Sequence, residues 1–294
     1  MRTIETFAVV GGDLRSTYLA GALAAEGCRV ISSGFDSAEL PSGVTACTDV
    51  TQAINLADCV ILPLPASTDG VNINAPFSRI PIPLKTVVQA VREEQLLLGG
   101  QIGEELRREL ALRGLNVGDY FGREELAVLN AVPTAEGAIQ LAMEELPITL
   151  SGARCLITGY GRIGRVLARL LNALDADVTV AARRCSDRAW AEAQGCRSME
   201  LSRLPGKDRY DVIFNTVPHK IFHRELLEQL DSGTLIIDLA SRPGGVDFNA
   251  AAQLRLKTIW ALSLPGRVAP KSAGNIIKQT ILNMIKEERE WNSK

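Results

Sequence analysis

The sequence predicts an α/β fold with two doubly wound domains, each a parallel sheet flanked by helices, and a cleft between them. Short β-branched runs alternate with longer amphipathic stretches along the 294 residues, the pattern of successive βα units. This pattern starts again at SGARCLITGYG, halfway along the chain. A chain of this length also corresponds to roughly two domains of ~150 residues each. We therefore expect one domain at residues 1–130 and a second at residues 131–271.

The first domain begins with the strand-like run TFAVV, a helix from about Asp13 to Glu26 and a second strand, CRVISSGF. A further strand, ADCVILPLP, ends at two prolines, and the polar stretch 66–83 predicts a surface loop. The turn VVGGDLRS lacks the G-x-G-x-x-G fingerprint of dinucleotide sites, so this domain is assigned to substrate. Asp13 in that turn is either the cap of the following helix or a ligand contact.

The second domain begins with a helix that is predicted to follow Pro133, to start between Thr134 and Gly137 and to link the two halves. Strand candidates then recur at DVTVAAR, DVIFNTVP, TLIIDLA and TIWALSLP, the spacing of a second doubly wound sheet. The last helix, residues 272–294, is expected to pack back on the first domain because its apolar residues follow helical spacing.

Composition argues against several classes of protein. Hydrophobic residues make up 46% and charged residues 22%, as in ordinary globular proteins. The net charge of −2 shows no basic excess, so we expect no nucleic-acid and no membrane partner. No apolar run approaches the ~20 residues of a membrane span, and MRTIETFAVV does not read as a signal peptide. Six scattered cysteines and two histidines predict no metal site and a reducing, cytoplasmic compartment.

A dinucleotide site is predicted at GYGRIG, where Gly159, Gly161 and Gly164 follow an apolar strand and open a helix. The first glycine allows the tight turn, the second lets backbone N–H groups approach a pyrophosphate, and the third lets the helix pack on the strand. The alternative to a dinucleotide site is a glycine-rich turn without a ligand. The strand, turn and helix together indicate Rossmann-like or flavodoxin-like domains. The other predicted cofactor contacts are Arg162, Ile163, Thr216, Val217 and Pro218.

The end of the next strand favours NADP over NAD. An NAD site places an acidic residue there to bind the ribose 2′-hydroxyl. This chain has Ala181 and Ala182, followed by Arg183 and Arg184, whose guanidinium groups suit a 2′-phosphate. The alternative is a solvated basic turn.

Strand ends in the second domain are expected to line the cleft, at NTVPH, DLASRPGG and SLPGRVAPKSAG. The arrangement resembles that of D-2-hydroxy-acid dehydrogenases, with Arg242 in the position of their loop arginine. That family also has a Glu one strand later and then a Pro-His acid/base. Here no Glu occurs from Pro243 to Ile285, and the Pro-His position reads Pro265-Gly266. Without that imidazole an alcohol dehydrogenase is disfavoured.

Positive charge at the predicted cleft suits a substrate that carries carboxylates. The basic residues are Arg242, Arg267 and Lys271, joined by Arg15; the alternative for each is exposure to solvent. Of the two histidines, His219 is the better functional candidate, because it follows the strand on the cofactor side.

Seven motifs in order then resemble the family of dipicolinate synthase A subunits over nearly the whole chain. They are GGDLR, LPLP, NAVPTAEGAI, GYGRIG, NTVP, DLASRPGG and LPGRVAPKSAG. The resemblance implies oxidation of a dihydrodipicolinate to pyridine-2,6-dicarboxylate with NADP⁺ as hydride acceptor, in the cytoplasm of the mother cell of a spore-forming bacterium. It also implies a partner, the dipicolinate synthase B subunit, and we expect a homo-oligomer.

On this interpretation the chain orients a ring and holds two carboxylates. Arg242, Arg267 and Lys271 are the carboxylate contacts, and His219 or a water takes the ring proton. Two alternatives stay open: another NADP-linked dehydrogenase of the hydroxy-acid or amino-acid type, and a non-catalytic nucleotide-binding component of a two-component synthase. The predicted catalytic residues are His219, Arg242 and Lys271, and the predicted substrate contacts are Arg15, Thr134, Ser241 and Arg267.

Overall fold

The computed structural model describes residues 4–115, 117–204 and 209–291. They fall into two compact units, one built from the chain up to residue 129 and again from residue 269, and the other from residues 130–268. Each unit contains one six-stranded sheet in which every strand pair is parallel. The predicted fold class is therefore confirmed.

Both sheets have the strand order 3-2-1-4-5-6 of the Rossmann fold when strands are numbered within each unit. The strands of the first unit are β1 (Thr6–Val10), β2 (Arg29–Ser33), β3 (Val44–Ala46), β4 (Cys59–Ile61), β5 (Leu96–Gly99) and β6 (Val117–Asp119). Those of the second unit are β7 (Arg154–Thr158), β8 (Asp177–Ala182), β9 (Arg197–Glu200), β10 (Val212–Asn215), β11 (Leu235–Asp238) and β12 (Lys257–Trp260).

The helices lie between these strands, as the βα pattern predicts. Those before residue 130 are α1 (Leu14–Ala25), α2 (Val50–Asn55), α3 (Leu84–Ala90) and α4 (Glu104–Leu112). A long helix, α5 (Glu124–Glu145), crosses the boundary between the units. Those after it are α6 (Arg162–Ala173), α7 (Cys185–Ala193), α8 (Arg224–Leu227), α9 (Phe248–Gln253), α10 (Leu264–Val268) and α11 (Pro270–Trp291).

The central strands are buried on both faces, which explains their continuous apolar runs. In β7, Cys155, Leu156 and Ile157 have no exposed surface. Burial raises the pKa of the Cys155 thiol to about 12, so this cysteine behaves as a small apolar core residue.

The C-terminal helix α11 packs closely along α1 in the first unit. Gly274 makes the approach possible, because a Cβ there would lie 2.6 Å from the carbonyl oxygen of Arg15. Ile277, Ile281 and Ile285 then bury their side chains in the core of that unit.

The predicted start of the linking helix between Thr134 and Gly137 is wrong. The helix α5 begins at Glu124 and runs through Pro133, which lies inside it. A proline inside a helix removes one backbone hydrogen bond, but the other bonds of a 22-residue helix remain. Thr134 has a helical role as well, since its hydroxyl donates to the carbonyl oxygen of Asn130 (2.7 Å).

Among the helices of the described residues, α5 is also long and apolar enough to cross a membrane by length and composition. A search of the sequence for an uninterrupted apolar run of ~20 residues does not identify this helix. Core helices of proteins that fold in water pass the same test, so the observation is weak evidence for a membrane span.

Candidate active site

The strand order of the second unit places a crevice where its two halves diverge. Strand β7 pairs with β10 on one side and β8 on the other, so the order reverses beside β7. In open α/β sheets, ligands bind outside the carboxyl ends of the strands at this point. The loop from Gly159 to Gly161 leaves β7 there and leads into α6.

The three glycines of this loop have three different geometries. Gly159 has φ +89°, a backbone conformation that glycine adopts without strain. A Cβ on Gly164 would lie 2.4 Å from the carbonyl oxygen of Gly159, so only glycine lets α6 pack this close. A Cβ on Gly161 would meet nothing within 4 Å and would project into open space. The fold itself therefore does not require glycine at position 161.

Tyr160, between the first two glycines, holds the loop in place. Its ring is buried, and its hydroxyl donates to Oε1 of Gln194 (2.6 Å). Burial raises the pKa of this phenol, so it stays protonated. Arg165 lies over the ring and donates from Nε to the carbonyl oxygen of Tyr160 (3.2 Å). The sequence interpretation did not use this residue, although an aromatic residue inside a glycine loop is a visible signal.

The helices that follow the first strand of each unit begin differently. Asp13 caps α1, since its carboxylate accepts the backbone N–H of Arg15 (3.0 Å). A carboxylate at that position disfavours a bound phosphate. Gly161 is the N-cap residue of α6 and makes no side-chain cap hydrogen bond, and the first N–H groups of a helix have no partner within that helix. The start of α6 is suited to an anion, whereas the start of α1 is already occupied by Asp13.

The carboxyl end of β8 carries positive charge and no acidic residue. Arg183 and Arg184 follow the strand, are exposed, and have no hydrogen bond or ion pair to their guanidinium groups within the described part of the chain. A third arginine, Arg188, was not predicted. Its Nη1 donates to the carbonyl oxygens of Ala182 (3.1 Å) and Arg183 (3.0 Å), which fixes the turn that carries the other two.

The loop after β10 contains the remaining predicted cofactor contacts. Thr216 and Val217 are half-buried and Pro218 is exposed. The Thr216 hydroxyl donates to the carbonyl oxygen of Thr158 (2.8 Å), so this loop is fastened to the end of β7.

The two histidines occupy different settings near this loop. His219 is exposed, and among the described residues its imidazole has no hydrogen-bond partner. His223 occupies the N-cap position of α8 without a side-chain cap; its Nδ1 lies 2.7 Å from the carbonyl oxygen of Ile221 and its Nε2 lies 3.6 Å from the carboxylate of Glu225. His223 therefore has a local role, and His219 has an imidazole available for a ligand.

The loop after β11 presents Ser241 and Arg242 to solvent. The Arg242 guanidinium carbon lies 5.9 Å from the centre of the Trp260 ring, a cation–π geometry. Trp260 in turn donates from Nε1 to the carbonyl oxygen of Ala240 (3.0 Å) and stacks on Phe248. The tryptophan thus supports this loop from one side, and sequence reasoning missed it.

Three polar residues with no exposed surface lie beneath these loops: Thr158, Asn215 and Asp238. Each is the last residue of its strand, and parallel pairing sets them side by side. The Thr158 hydroxyl donates to Oδ1 of Asn215 (2.7 Å), and Nδ2 of Asn215 donates to Asp238 (2.7 Å). Asn215 and Asp238 belong to the strand ends that the sequence analysis expects to line the cleft, but their burial and their network with Thr158 were not predicted. A polar residue that ends an apolar strand would have been the signal.

The other predicted substrate residues lie in both units. Arg267 is exposed in the last turn of α10, in the second unit. Lys271 is exposed in the first turn of α11, in the first unit. The Arg15 guanidinium is held by both carboxylate oxygens of Asp13 and by the carbonyl oxygen of Leu64. The Thr134 hydroxyl is used within α5, as described above. Whether these residues contact a substrate stays a prediction.

No group of three or more His, Cys, Asp or Glu side chains that could hold a metal ion occurs among the described residues. The site therefore offers backbone N–H groups, guanidinium groups and an imidazole. Such groups bind anions and position them, and the imidazole can accept a proton.

Two protein-family models match the chain. The model of the N-terminal domain of the dipicolinate synthase A subunit matches residues 6–121. The model of the NAD binding domain of D-isomer specific 2-hydroxyacid dehydrogenases matches residues 132–258, the part of the chain that includes the glycine loop.

Similar proteins are known over the full length. The A subunit of dipicolinate synthase from Bacillus subtilis (strain 168) is 31% identical over 291 residues, 98% of each chain. The crystal structure of the same component from Bacillus halodurans has a TM-score of 0.87 at 28% identity and covers 95% of this chain and 97% of its own. The crystal structure of the Bacillus subtilis dipicolinate synthase A chain has a TM-score of 0.86 at 30% identity and covers 99% of this chain and 98% of its own.

Proposed function

The chain belongs to the family of dipicolinate synthase A subunits, and on this premise we propose that it is an NADP-dependent oxidoreductase that converts a dihydrodipicolinate to pyridine-2,6-dicarboxylate. When bound, NADP⁺ supplies the acceptor for the hydride that leaves the ring. The ring also loses one proton, so the products are the aromatic dicarboxylate, NADPH and H⁺. Because the product ring is aromatic, the equilibrium favours the products. The chain's own task is to bind the two carboxylates of the substrate and to orient its ring toward the nicotinamide.

The observation that carries the proposal is the open, uncapped start of α6. Gly161 leaves room for a ligand where a side chain would fit the fold, and it directly precedes the first turn of α6, which receives no side-chain cap from this residue. A pyrophosphate satisfies both features, because it needs close approach of the backbone and several N–H donors. The residues present therefore fit a dinucleotide.

Preference for NADP is supported by the end of β8. Arg183 and Arg184 supply guanidinium groups where NAD sites have an acidic residue, and Arg188 holds their turn. Guanidinium groups bind phosphate with paired, charge-assisted hydrogen bonds. The 2′-phosphate of NADP is the ligand group that uses them.

We assign the substrate carboxylates to Arg242 and Arg267, with Ser241 as a polar neighbour. The cation–π contact with Trp260 restrains the Arg242 side chain before a ligand binds, which limits the side-chain entropy lost on binding. His219, exposed beside the cofactor loop, accepts the ring proton or passes it to water. Lys271, Arg15 and Thr134 remain part of the predicted set.

The proposal includes a partner and a cellular setting. Membership in a family of A subunits implies a second component of the synthase. We propose that this partner is the dipicolinate synthase B subunit, and a homo-oligomer of this chain remains expected. The cytoplasm of a spore-forming bacterium supplies NADP and keeps the cysteines reduced; within the described residues all six are free.

Turnover tests the proposal. The purified chain receives freshly generated dihydrodipicolinate and NADP⁺, with and without the B subunit, and NADPH is followed by its absorbance. We expect NADPH to appear together with pyridine-2,6-dicarboxylate. No NADPH in either case contradicts the assignment and favours a non-catalytic nucleotide-binding component. Efficient reduction of a simple 2-keto acid by NADPH favours a hydroxy-acid dehydrogenase instead.

Removal of one carboxylate contact should affect the substrate alone. Arg267→Ala deletes a charge-assisted hydrogen bond of ~1.5–3 kcal/mol, so KM for dihydrodipicolinate should rise about 10- to 150-fold. The Kd for NADP⁺ should stay unchanged. Arg197→Ala, which removes an exposed arginine at the amino end of β9, is the matched control. An unchanged KM in Arg267→Ala would remove this residue from the site.

A further inference from the structure

The two ligand loops of the second unit touch each other through buried polar groups. One is the loop of residues 216–218, after β10, and the other is the loop of residues 240–245, after β11. Asn215 precedes the first loop and Asp238 precedes the second, and the two side chains are joined by a hydrogen bond of 2.7 Å.

Each of these side chains also binds its own loop. Oδ1 of Asn215 accepts the backbone N–H of Val217 (3.2 Å), and its Nδ2 donates to the carbonyl oxygen of the same residue (3.1 Å). The Asp238 carboxylate accepts the backbone N–H groups of Ala240 (3.1 Å) and Gly245 (2.7 Å). Thus a single chain of hydrogen bonds runs from one loop to the other.

The glycines of the second loop give independent evidence for this contact. A Cβ on Gly245 would lie 2.1 Å from Nδ2 of Asn215 and 2.8 Å from the carbonyl oxygen of Val217. A Cβ on Gly244 would lie 3.0 Å from the Asp238 carboxylate. At Gly245 the two loops meet with no space for even one methyl group, so the second loop packs directly on Asn215 and on the backbone of the first loop.

We propose that Asn215 and Asp238 are positioning residues that couple the dinucleotide loop 216–218 to the substrate loop 240–245. The inference rests on the proposed function, which assigns a ligand to each loop. An apolar pair of similar size would fill the same space without a buried carboxylate, and such replacements are often neutral for stability. The directional bonds instead fix Val217 relative to the loop that carries Arg242.

Coupling has a thermodynamic consequence. If NADP⁺ orders the first loop, the second loop is ordered as well, and the dicarboxylate then binds more tightly. Linkage requires the reverse effect by the same factor. The measurable quantity is the ratio of the Kd values for pyridine-2,6-dicarboxylate without and with saturating NADP⁺.

The test uses Asp238→Asn, which replaces one acceptor oxygen by an NH₂ group that cannot accept a backbone N–H. Thr158→Val is a milder variant, because it removes only the hydroxyl that donates to Asn215, and it serves if Asp238→Asn does not fold. Asp211→Asn is the matched control: its carboxylate accepts the backbone N–H of Arg154 (2.7 Å) at the opposite end of β10.

We expect the Kd ratio to fall toward one in Asp238→Asn and to keep its wild-type value in Asp211→Asn, even where both variants melt at lower temperature. Backbone hydrogen exchange of the ligand-free protein is the second readout. In Asp238→Asn, exchange should accelerate about tenfold or more at the amides of Thr216 and Val217 as well as at those of residues 240–242, 244 and 245.

The coupling is contradicted if exchange changes only in residues 240–245, or if the Kd ratio of Asp238→Asn equals that of the wild type while only its melting temperature falls. The two proposals fail separately. A wild-type chain that binds neither ligand overturns the proposed function, whereas the exchange experiment needs no ligand and still decides whether the loops are coupled.

Discussion

Gly161→Val should abolish dinucleotide binding and leave the fold intact. The backbone at Gly161 has φ −82° and ψ −156°, close to the φ −92° and ψ −164° of the non-glycine residue Asp13 at the start of α1, and a Cβ at Gly161 meets nothing within 4 Å. The added side chain instead fills the space that we assign to the pyrophosphate. We expect the Kd for NADP⁺ to rise at least about 100-fold, or ~2.8 kcal/mol. Titration calorimetry measures this, and the melting temperature should stay within a few degrees of the wild type.

Two further glycine variants make this result specific. Gly103→Val is the matched control, since Gly103 caps α4 in the first unit, also with an open Cβ direction; its Kd should equal that of the wild type. Gly164→Ala should show the opposite pattern, because its Cβ presses on the Gly159 carbonyl and destabilises the fold. Wild-type affinity in Gly161→Val would place the dinucleotide elsewhere.

The double variant Arg183→Ala/Arg184→Ala should lose its preference for NADP. Each guanidinium that binds the 2′-phosphate contributes a charge-assisted hydrogen bond, so the Kd for NADP⁺ should rise about 100-fold or more. The Kd for NAD⁺ should change little, because NAD has a hydroxyl at that position. Both cofactors are titrated against both proteins.

A control double variant that removes the same charge distinguishes direct contact with the 2′-phosphate from general electrostatic attraction of the cofactor. Arg169→Ala/Arg197→Ala removes two exposed arginines from the same unit, from α6 and β9. It should alter NADP⁺ binding only slightly and only at low salt. Equal losses for NAD⁺ and NADP⁺ in Arg183→Ala/Arg184→Ala, or an NAD preference of the wild type, would contradict the assignment to NADP.

The features that sequence predicts well here are local. The strand, turn and helix around Gly159, Gly161 and Gly164 are determined by residues close to one another in the sequence. Within the fold itself, Gly159 is required by its positive φ and Gly164 by the close approach of α6. Asp13 is a local feature as well, because it caps the helix that directly follows it. The fold class follows from many such local βα units in succession.

The start of α5 shows where local signals fail. Thr134 and Gly137 after Pro133 predict a helix start, because threonine is a common N-cap residue and Glu136 adds negative charge in the first turn. The nine residues before Pro133 are helical all the same, since Glu124 and Glu125 favour the first turn and Leu126 and Ala131 are buried. Burial in the tertiary structure outweighs the one hydrogen bond that proline removes.

The buried polar network could not be predicted from spacing. Asn215 lies 57 residues from Thr158 and 23 from Asp238, and only the parallel register brings the three together. Trp260 reaches Arg242 in the same way, across neighbouring strand ends. Sequence reasoning therefore gave candidate ligand contacts, which stay predictions, whereas the groups that hold these loops in place required the structure.

The most direct measurement is a crystal structure of the chain with NADP⁺ and pyridine-2,6-dicarboxylate at saturating concentrations. We predict the pyrophosphate against the first N–H groups of α6 at Gly161, the 2′-phosphate within hydrogen-bond distance of Arg183 or Arg184, and a carboxylate of the product on Arg242 or Arg267. A dinucleotide bound at residues 11–16 of the first unit, or electron density for neither ligand beside α6, would contradict the proposed oxidoreductase.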